Sequence, residues 1–438
     1  MTFPVFAAAL ARCFVSGEQC AEALNARTQH ALGRDWRWAR WLGRRYLATF
    51  PREAPPSHQR VVHFLADHSV SQLAFQKYRG EISISLLQME AERMRPTTAA
   101  ASQWKLPAIE SAGALADWLC LALDELDWLA DRKGLAAKST NTKLRHYWHR
   151  TLAKPSGGLR LIEAPKKRLK EVQQRILRDI LDKITPHPAA HGFVRGRSIR
   201  SFAAPHVGQR VVLRIDLRNF FPTFPAARVQ AMFRTIGYPD TVAALLTGLC
   251  TTAAPREICK LFEDRGEREL YRRAHLPQGA PSSPALANVC SRRVDRRLTG
   301  LAEAAGAVYT RYADDLAFSG GEDFERCVDR FAARAAAILR EEGFRVRQEK
   351  TRVMRQGMRQ QVAGLVTNKR MNLPRVDFDN LKAILTNCVR SGAESQNRDG
   401  RENFHQHLEG RVAFAESINA ARGAKLREIL QRIEWHRA

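Results

Sequence analysis

The chain has 438 residues, 45% of them apolar, which is long enough for two or three compact units with their own hydrophobic cores. Its 71 Lys and Arg against 45 Asp and Glu give a formal net charge of +26, which favours a polyanionic partner, although basicity alone also fits a membrane-surface protein or a ribosomal factor. No apolar run could span a bilayer, the N-terminus lacks a secretory signal, and the eight cysteines contain no CxxC pair, so we expect a cytoplasmic protein with no membrane contact, zinc site or disulfide framework.

Residues 1–120 predict a mainly helical extension in which no chemical site is recognisable. Within it, residues 34–46, RDWRWARWLGRRY, interleave tryptophans with arginines. One interpretation is a surface that grips RNA by stacking and charge. The other is an amphipathic helix whose arginine stems cover an apolar surface. The sequence alone does not choose between these two interpretations.

Residues 121–210 predict a β-hairpin followed by a helix. Strands are expected at 147–148 and 159–162, around a Pro-Ser-Gly-Gly turn at 155–158. A helix is expected after Pro165, because apolar residues recur there at helical spacing: Leu169, Val172, Ile176 and Ile180.

A basic loop and two longer helices are expected further along the chain. The loop at 191–199, HGFVRGRSI, places Arg195 and Arg197 among small residues, which suits close approach to a nucleic-acid phosphate. Residues 227–250 have the pattern of one helix. A Ser-Pro pair typical of a helix start opens another at 283–301.

Three carboxylates stand at the ends of apolar strands. Residues 210–217, RVVLRIDL, alternate as a half-buried strand with Asp216 opposite its apolar face. Residues 308–320, VYTRYADDLAFSG, predict a tight hairpin with Asp314 and Asp315 at its turn. Adjacent carboxylates raise each other's pKa unless a cation lies between them. A polar surface turn would explain the Asp pair alone, but all three acids together suit two divalent ions about 3.5–4 Å apart.

These residues resemble the palm motifs of reverse transcriptases, and within that class those of bacterial retron reverse transcriptases. The run at 312–315, YADD, is similar to the YxDD box, and Asp216 with Phe221 five residues later resembles the first palm motif. Residues 276–284, LPQGAPSSP, resemble the LPQG…SP segment that lies under the incoming nucleotide. The motifs follow the family's order, and the resemblance covers roughly residues 125–438.

The resemblance implies an α+β fold of the right-hand polymerase type, with an antiparallel palm sheet. The implied domains are a helical N-terminal extension at 1–120, fingers at 121–210, a palm with the primer-grip hairpin at 211–368, and a helical thumb at 369–438. It also implies RNA-directed DNA synthesis with two Mg²⁺ ions held by Asp216, Asp314 and Asp315. The implied partners are a structured non-coding RNA, its DNA product and, in an antiphage defence system, an effector or toxin protein.

The resemblance assigns further roles around the acids. Arg160 and Lys170 stand where the family's fingers contact the triphosphate, and Gln278 where an amide tracks the nucleotide or the template base. Phe221 is expected under the sugar, where its ring would exclude a 2′-hydroxyl. Lys350 matches a palm lysine that can protonate the leaving pyrophosphate. A solvated basic helix face and a structural salt bridge are the simpler interpretations of Lys170 and Lys350.

Two retron signatures are altered in this chain. Where retron enzymes usually show NAxxH, the chain has FAAPH, so that Phe202 replaces Asn, and the retained His206 is expected to contact nucleic acid. Phe202 could stack on a base in place of the lost hydrogen bond. Retron enzymes typically carry VTG in the primer grip, whereas this chain has Val362, Ala363 and Gly364, so that Ala replaces Thr. We still expect these three residues to contact nucleic acid.

Two alternatives remain open at this point. The first keeps the polymerase but not the retron, as in a group II intron enzyme or another defence-associated reverse transcriptase. Against an intron protein, no maturase or endonuclease sequence is recognisable after the expected thumb. The second is an RNA-binding scaffold that has lost catalysis. The three acids argue against it, because buried acids without metals would cost stability.

Overall fold

The structure is a computed structural model that describes residues 2–16, 18–50, 56, 58–82, 93–154 and 157–435. The first two residues of the expected turn at 155–158 therefore lie outside the described residues. The α-helices are α1 Phe3–Val15, α2 Ala21–Leu32, α3 Arg37–Thr49, α4 His58–Asp67, α5 Ser69–Tyr78, α6 Ala99–Gln103, α7 Ala112–Leu119, α8 Leu123–Ala130, α9 Leu135–Lys138, α10 Lys167–Asp179, α11 Ile199–Ala203, α12 Ala226–Thr235, α13 Asp240–Cys250, α14 Arg256–Cys259, α15 Arg265–Arg272, α16 Ser283–Cys290, α17 Arg292–Ala304, α18 Glu322–Glu341, α19 Arg375–Ser391, α20 Phe404–Ile418 and α21 Ala420–Gln431. The strands are β1 Tyr147–Ala153, β2 Leu159–Pro165, β3 Val211–Arg218, β4 Ala307–Tyr312, β5 Asp315–Gly320, β6 Arg345–Val346, β7 Arg352–Arg355, β8 Gln361–Val362 and β9 Leu365–Val366.

The chain divides into two compact units. The first contains residues 1–184 and 224–283, and the second contains residues 185–223 and 284–438. Among the described residues, no helix combines the length and the hydrophobicity needed to cross a bilayer.

The N-terminal helices of the first unit form their own aromatic core, as the expected helical extension requires. Helix α1 packs against α2, α4 and α5, and α3 packs against α2 and α5. Phe6, Phe14 and Tyr46 are at most 1% exposed at the centre of this core. The ring of Tyr46 lies edge-on to that of Phe14, with 5.3 Å between centroids.

The remainder of the first unit holds the predicted hairpin and helix. Strands β1 and β2 pair in antiparallel register from Tyr147 opposite Pro165. Helix α10 buries the predicted Leu169, Val172 and Ile176, whereas Ile180 is buried directly after the helix ends. The buried Gln173 of α10 donates hydrogen bonds to the Tyr147 hydroxyl and the Leu249 carbonyl, both at 2.8 Å.

Two of the predicted long helices are each divided. The single helix expected at 227–250 is interrupted between α12 and α13, because Gly237 adopts a φ of +114° and Pro239 follows it. A Cβ at Gly237 would lie 2.7 Å from the Pro96 nitrogen, so glycine is needed there for the close approach. The helix expected at 283–301 is interrupted at Ser291, between α16 and α17.

The second unit is organised by a five-stranded antiparallel sheet. Its order is β4-β5-β3-β6, and β7 pairs with β3 beside β6. Strand β3 was expected to be half-buried, but apart from the half-buried Arg214 and the exposed Arg218 all its residues are buried. Helix α18 packs against β3, and Val212 belongs to a cluster with Phe202 and Leu365, so apolar contacts cover both faces.

The C-terminal helices α19, α20 and α21 form a separate core in the second unit, as predicted for a helical thumb. Leu385, Leu408, Val412 and Leu426 are fully buried in it. Helices α20 and α21 cross closely at Gly423, where a Cβ would lie 2.3 Å from the Glu416 Cα.

Candidate active site

The sheet of the second unit places the three predicted acids side by side. Asp216, near the end of β3, is directly opposite Asp315, the first residue of β5. The Leu217 amide donates a 2.9 Å hydrogen bond to the Asp314 carbonyl. Tyr312 pairs with Asp315, so Ala313 and Asp314 form a two-residue turn in which Ala313 has a φ of +54°. The hairpin prediction is therefore confirmed: Asp216 and Asp315 pair in the strand ladder, and Asp314 lies in the adjoining turn.

Burial is the largest influence on the pKa of Asp314 and of Asp315. Burial, followed by the nearby Asp216 carboxylate, raises the pKa of Asp314 from 3.8 to about 6. Burial also raises the pKa of Asp315, against the lowering effect of its hydrogen bonds from Arg214. The Oδ1 atom of Asp216 is buried and accepts no hydrogen bond from the described residues. The cluster thus carries negative charge that its own hydrogen bonds do not fully compensate.

Three cations stand next to the acids. Arg214 donates from Nε and Nη2 to the two oxygens of Asp315, at 2.6 and 2.8 Å. Arg347 Nη1 lies 3.2 Å from Asp216 Oδ1, and Lys350 Nζ lies 4.0 Å from Asp216 Oδ2. Lys350 is therefore within reach of the acid cluster, with its side chain 43% exposed. Arg214 and Arg347 were not among the predicted site residues.

The acids suit divalent cations in chemistry and position. Carboxylate oxygens are the ligands that Mg²⁺ prefers, and Asp216 offers a buried oxygen without a hydrogen bond. In their present rotamers, however, no three Asp, Glu, His or Cys side chains among the described residues converge as a metal site. Arg214 already donates to both oxygens of Asp315, so it competes with a metal for this carboxylate.

A buried ion pair connects the acidic hairpin to helix α17. Arg311 on β4 is 1% exposed and donates to both oxygens of Asp295 on α17, each at 2.7 Å. The Tyr309 hydroxyl also donates to Asp295, at 2.9 Å. Arg311 Nη1 further donates to the Asn288 side chain at 3.1 Å and to the Ala313 carbonyl at 3.3 Å. The network thereby connects helices α16 and α17 to the turn that carries Asp314.

The predicted basic loop lies directly on this turn. A Cβ at Gly192 would come within 2.7 Å of the Ala313 nitrogen, so only glycine fits, and Asn288 donates to the Gly192 carbonyl at 2.8 Å. Arg195 is exposed, as a phosphate contact requires. Arg197 instead donates to the carbonyls of Pro188 and Ala190, so its guanidinium holds the loop in shape.

Phe221, five residues after Asp216 in the chain, packs among other aromatic rings. Its ring is half-buried, with centroids 5.6 Å from Phe220 and 6.1 Å from Phe193, whereas Phe220 is 5% exposed and belongs to the core. Phe193 is 51% exposed and has a φ of +59°, so a second, more exposed aromatic ring lies next to Phe221.

The residues of the altered NAxxH signature are buried. His206 is fully buried between Ser319 Oγ at 2.6 Å and Thr310 Oγ1 at 2.7 Å, and burial lowers its pKa to about 3, so the ring is neutral. Because His206 is fully buried, it joins strands β4 and β5 and does not make the predicted direct contact with a nucleic acid. Phe202 is also fully buried, with its ring 5.8 Å from that of Tyr312, so the alternative that it stacks on a base is wrong.

The expected primer-grip residues form a short hairpin. Val362 pairs with Leu365 across β8 and β9, and it is fully buried. Ala363 and Gly364 form the two-residue turn, with φ values of +45° and +82°. Two positive values are typical of a type I′ turn. Since Val362 is buried, only Ala363 and Gly364 of the three can face a ligand.

The expected nucleotide contacts of the fingers lie in the first unit. Arg160 on β2 and Lys170 on α10 are exposed, and Gln278 is half-buried. The Gln278 carbonyl accepts a 2.8 Å hydrogen bond from the Glu163 amide. Glu163 and His275 are both fully buried, and His275 Nε2 lies 2.9 Å from Glu163 Oε2, so a buried pair braces the segment that carries Gln278.

Sequence reasoning missed the buried Arg311–Asp295 and His275–Glu163 pairs. The signals were present but weak: Asp295 is the one acid in the run RRVDRR, and it falls between the buried Val294 and Leu298 of α17. Arg311 is the one charged residue in strand β4, AVYTRY. Which acid would meet which base depended on long-range packing that a single sequence does not contain.

The antiparallel sheet with its acids at one strand end and one hairpin turn defines a nucleic-acid polymerase palm. The chain belongs to the reverse transcriptase family: the family model for reverse transcriptase (RNA-dependent DNA polymerase) matches residues 152–382. The predicted α+β class with an antiparallel palm sheet is thus confirmed.

Within that family the chain is similar to retron reverse transcriptases, which confirms the resemblance. It is 43% identical over 291 residues to the retron Mx65 reverse transcriptase of Myxococcus xanthus, covering 65% of this chain and 64% of that protein. It is 36% identical to the Mx162 enzyme of the same organism, covering 73% and 66%. It is 30% identical to the Ec86 enzyme of Escherichia coli, covering 64% and 78%. The chain therefore spans just under two thirds of the length of the two Myxococcus relatives.

Proposed function

We propose that the protein is an RNA-directed DNA polymerase that copies a structured non-coding RNA into single-stranded DNA. The observation that carries the proposal is the pairing of Asp216 with Asp315 across β3 and β5, with Asp314 in the adjoining turn and its pKa raised to about 6. Perturbed acids brought together in this way are typical of sites that use their charge. Asp216, Asp314 and Asp315 would hold two Mg²⁺ ions, whose chemistry when bound is to acidify the primer hydroxyl and neutralise the departing pyrophosphate.

The other predicted residues act on the nucleotide. Lys350, next to Asp216, would donate a proton to the leaving pyrophosphate. Arg160 and Lys170 would offset the charge of the triphosphate. The Gln278 amide would track the nucleotide or the template base. The ring of Phe221 would exclude the 2′-hydroxyl of a ribonucleotide, so that DNA is made.

Similarity to retron enzymes supports a more specific role. We infer a cytoplasmic enzyme that primes from an internal 2′-hydroxyl of its RNA and gives a branched RNA–DNA product, within an antiphage defence system that includes an effector protein. Arg195, Ala363 and Gly364 would contact this RNA or the primer. The scaffold alternative has the weaker support, because three ionisable acids at one strand end cost stability without any return if no metal is bound.

The experiment is co-expression with the DNA that flanks the gene, followed by isolation of small nucleic acids. Single-stranded DNA that remains attached to RNA, and that Asp216→Asn abolishes, is the expected result. DNA synthesis on a supplied primer–template without any RNA-linked product would refute the retron role and leave the polymerase. No DNA synthesis in either assay would refute the polymerase itself.

A further inference from the structure

Helix α3 presents an arginine-rich face to solvent. Arg37, Arg40, Trp41, Arg44 and Arg45 are all exposed, and we call these five residues the α3 basic face. The helix contains no acidic residue. Arg40 pairs with Asp35 at 3.0 Å, whereas among the described residues no carboxylate lies within ion-pair distance of Arg37, Arg44 or Arg45.

Trp41 stands at the centre of this face. On a helix its surface neighbours are three and four residues away, which here are Arg37, Arg44 and Arg45. The Arg45 guanidinium lies 5.2 Å from the Trp41 ring centroid. The ring rests edge-on against His68, and 40% of the residue stays exposed. Trp36, by contrast, is only 6% exposed and Trp38 packs against the aromatic core, so Trp41 alone of the three is available to a ligand.

Helix stability does not explain this face. Arg37 is in the first turn, where a cation opposes the helix dipole. Arg37 and Arg40, and Arg40 and Arg44, are like-charged neighbours at spacings that destabilise a helix. The arginine stems do not cover the apolar stripe either, because Ala39, Leu42 and Tyr46 are already buried in the protein core. The face therefore fits a function in binding.

The chemistry of the face selects one kind of partner. A membrane-surface helix must insert an apolar face into lipid, but the apolar face of α3 is occupied by the core. An acidic protein would satisfy the arginines but would not require an exposed indole among them. Unpaired nucleic acid satisfies both, since its phosphates take the charges and its bases stack on the ring.

We infer that the α3 basic face binds an unpaired segment of RNA, with one base stacked on Trp41 and its flanking phosphates on Arg37, Arg44 and Arg45. This surface goes beyond the proposed catalytic function, because it belongs to the N-terminal helices and binding to it requires neither nucleotides nor metal. The inference and the polymerase proposal can therefore fail separately.

The test measures binding of a fluorescent 20-nucleotide unstructured RNA to the full chain, without nucleotides, across a salt titration. The variant R37Q/R44Q/R45Q removes three charges from the face. The control R12Q/K77Q/R79Q removes three exposed charges from helix α1 and the α5 end of the same extension. Since a single strand contributes a slope of about 0.7 per phosphate contact, the face variant should lower the salt slope by about 2 and the affinity by roughly 10- to 100-fold. The control should change both far less.

Trp41→Ala supplies the second measurement. Loss of one stacked base should weaken RNA binding by roughly 5- to 150-fold and leave the salt slope unchanged. RNA carrying 4-thiouridine should crosslink to the α3 peptide. Equal losses in the face and control variants, or no crosslink to α3, would overturn the inference. If the face variant instead loses binding to vesicles of phosphatidylserine and phosphatidylcholine while its RNA binding stays intact, the face is a membrane surface and the inference is overturned.

Discussion

The buried Arg311–Asp295 pair makes a strong prediction about stability. Asp295→Asn keeps the shape of the side chain but leaves the Arg311 guanidinium without its counter-charge at a site where the two residues are 1% and 0% exposed. The Asn oxygen can still accept one of the two 2.7 Å hydrogen bonds from Arg311, but the amide nitrogen cannot accept the other. Breaking a buried pair by removing one partner typically costs about 3–5 kcal/mol, and we expect a loss of unfolding free energy in that range.

The matched variant D295L/R311M removes both charges at once. It should cost clearly less than Asp295→Asn, because no buried charge is left, although Tyr309 and Asn288 each lose a partner at about 1 kcal/mol apiece. Arg326→Gln, which breaks an exposed ion pair with Glu322, is the control and should cost at most about 0.5 kcal/mol.

Urea denaturation followed by circular dichroism measures these differences. Because Arg311 also donates to the Ala313 carbonyl, the single variant should in addition slow DNA synthesis through a displaced turn. A cost below about 1 kcal/mol for Asp295→Asn, or a double variant that is as unstable as the single one, would refute the reasoning.

Without divalent ions, Asp314→Asn should stabilise the protein above pH 6 by up to about 3 kcal/mol. Folding raises the pKa of Asp314 from 3.8 to about 6, so the stability that the protonated carboxyl gives below pH 3.8 is lost as the pH rises through 6. Melting curves of the variant and the wild type should therefore converge below pH 4. Phe221→Ala should raise the ratio of ribonucleotide to deoxynucleotide incorporation, since it opens room for the 2′-hydroxyl; an unchanged ratio with surviving activity would place Phe221 in the core alone. Ala363→Asn should raise the unfolding free energy by about 0.5–1 kcal/mol, because Asn tolerates the positive φ of a type I′ turn better than Ala, and a loss of stability in denaturation curves would contradict the turn assignment.

The acid hairpin could be predicted because its information is local. The alternation of 308–320, the two acids at the turn and the apolar strand before Asp216 each follow from short-range pattern, and the structure joins them in one ladder. The burial of β3 on both faces could not be predicted the same way, since helix α18 and the Phe202 cluster reach it from distant parts of the sequence.

Single residues show the same limit. His206 and Arg197 are residue types that often contact nucleic acid. In the structure, however, His206 joins strands β4 and β5, and Arg197 holds its own loop in shape. The partners that decide their roles lie in other elements of the fold. The break between α12 and α13, in contrast, was signalled by Gly237 and Pro239 and could have been read from the sequence.

The central claim is that Asp216, Asp314 and Asp315 serve one catalytic site for DNA synthesis on RNA. The most direct measurement is primer extension on an RNA template with deoxynucleotides and Mg²⁺, comparing the wild type with Asp216→Asn, Asp314→Asn and Asp315→Asn at equal RNA binding. We predict robust extension by the wild type and a loss of at least about 10³-fold in each variant, since each gives up charge that stabilises the transition state by several kcal/mol. Near wild-type extension by any one of the three variants would contradict the account.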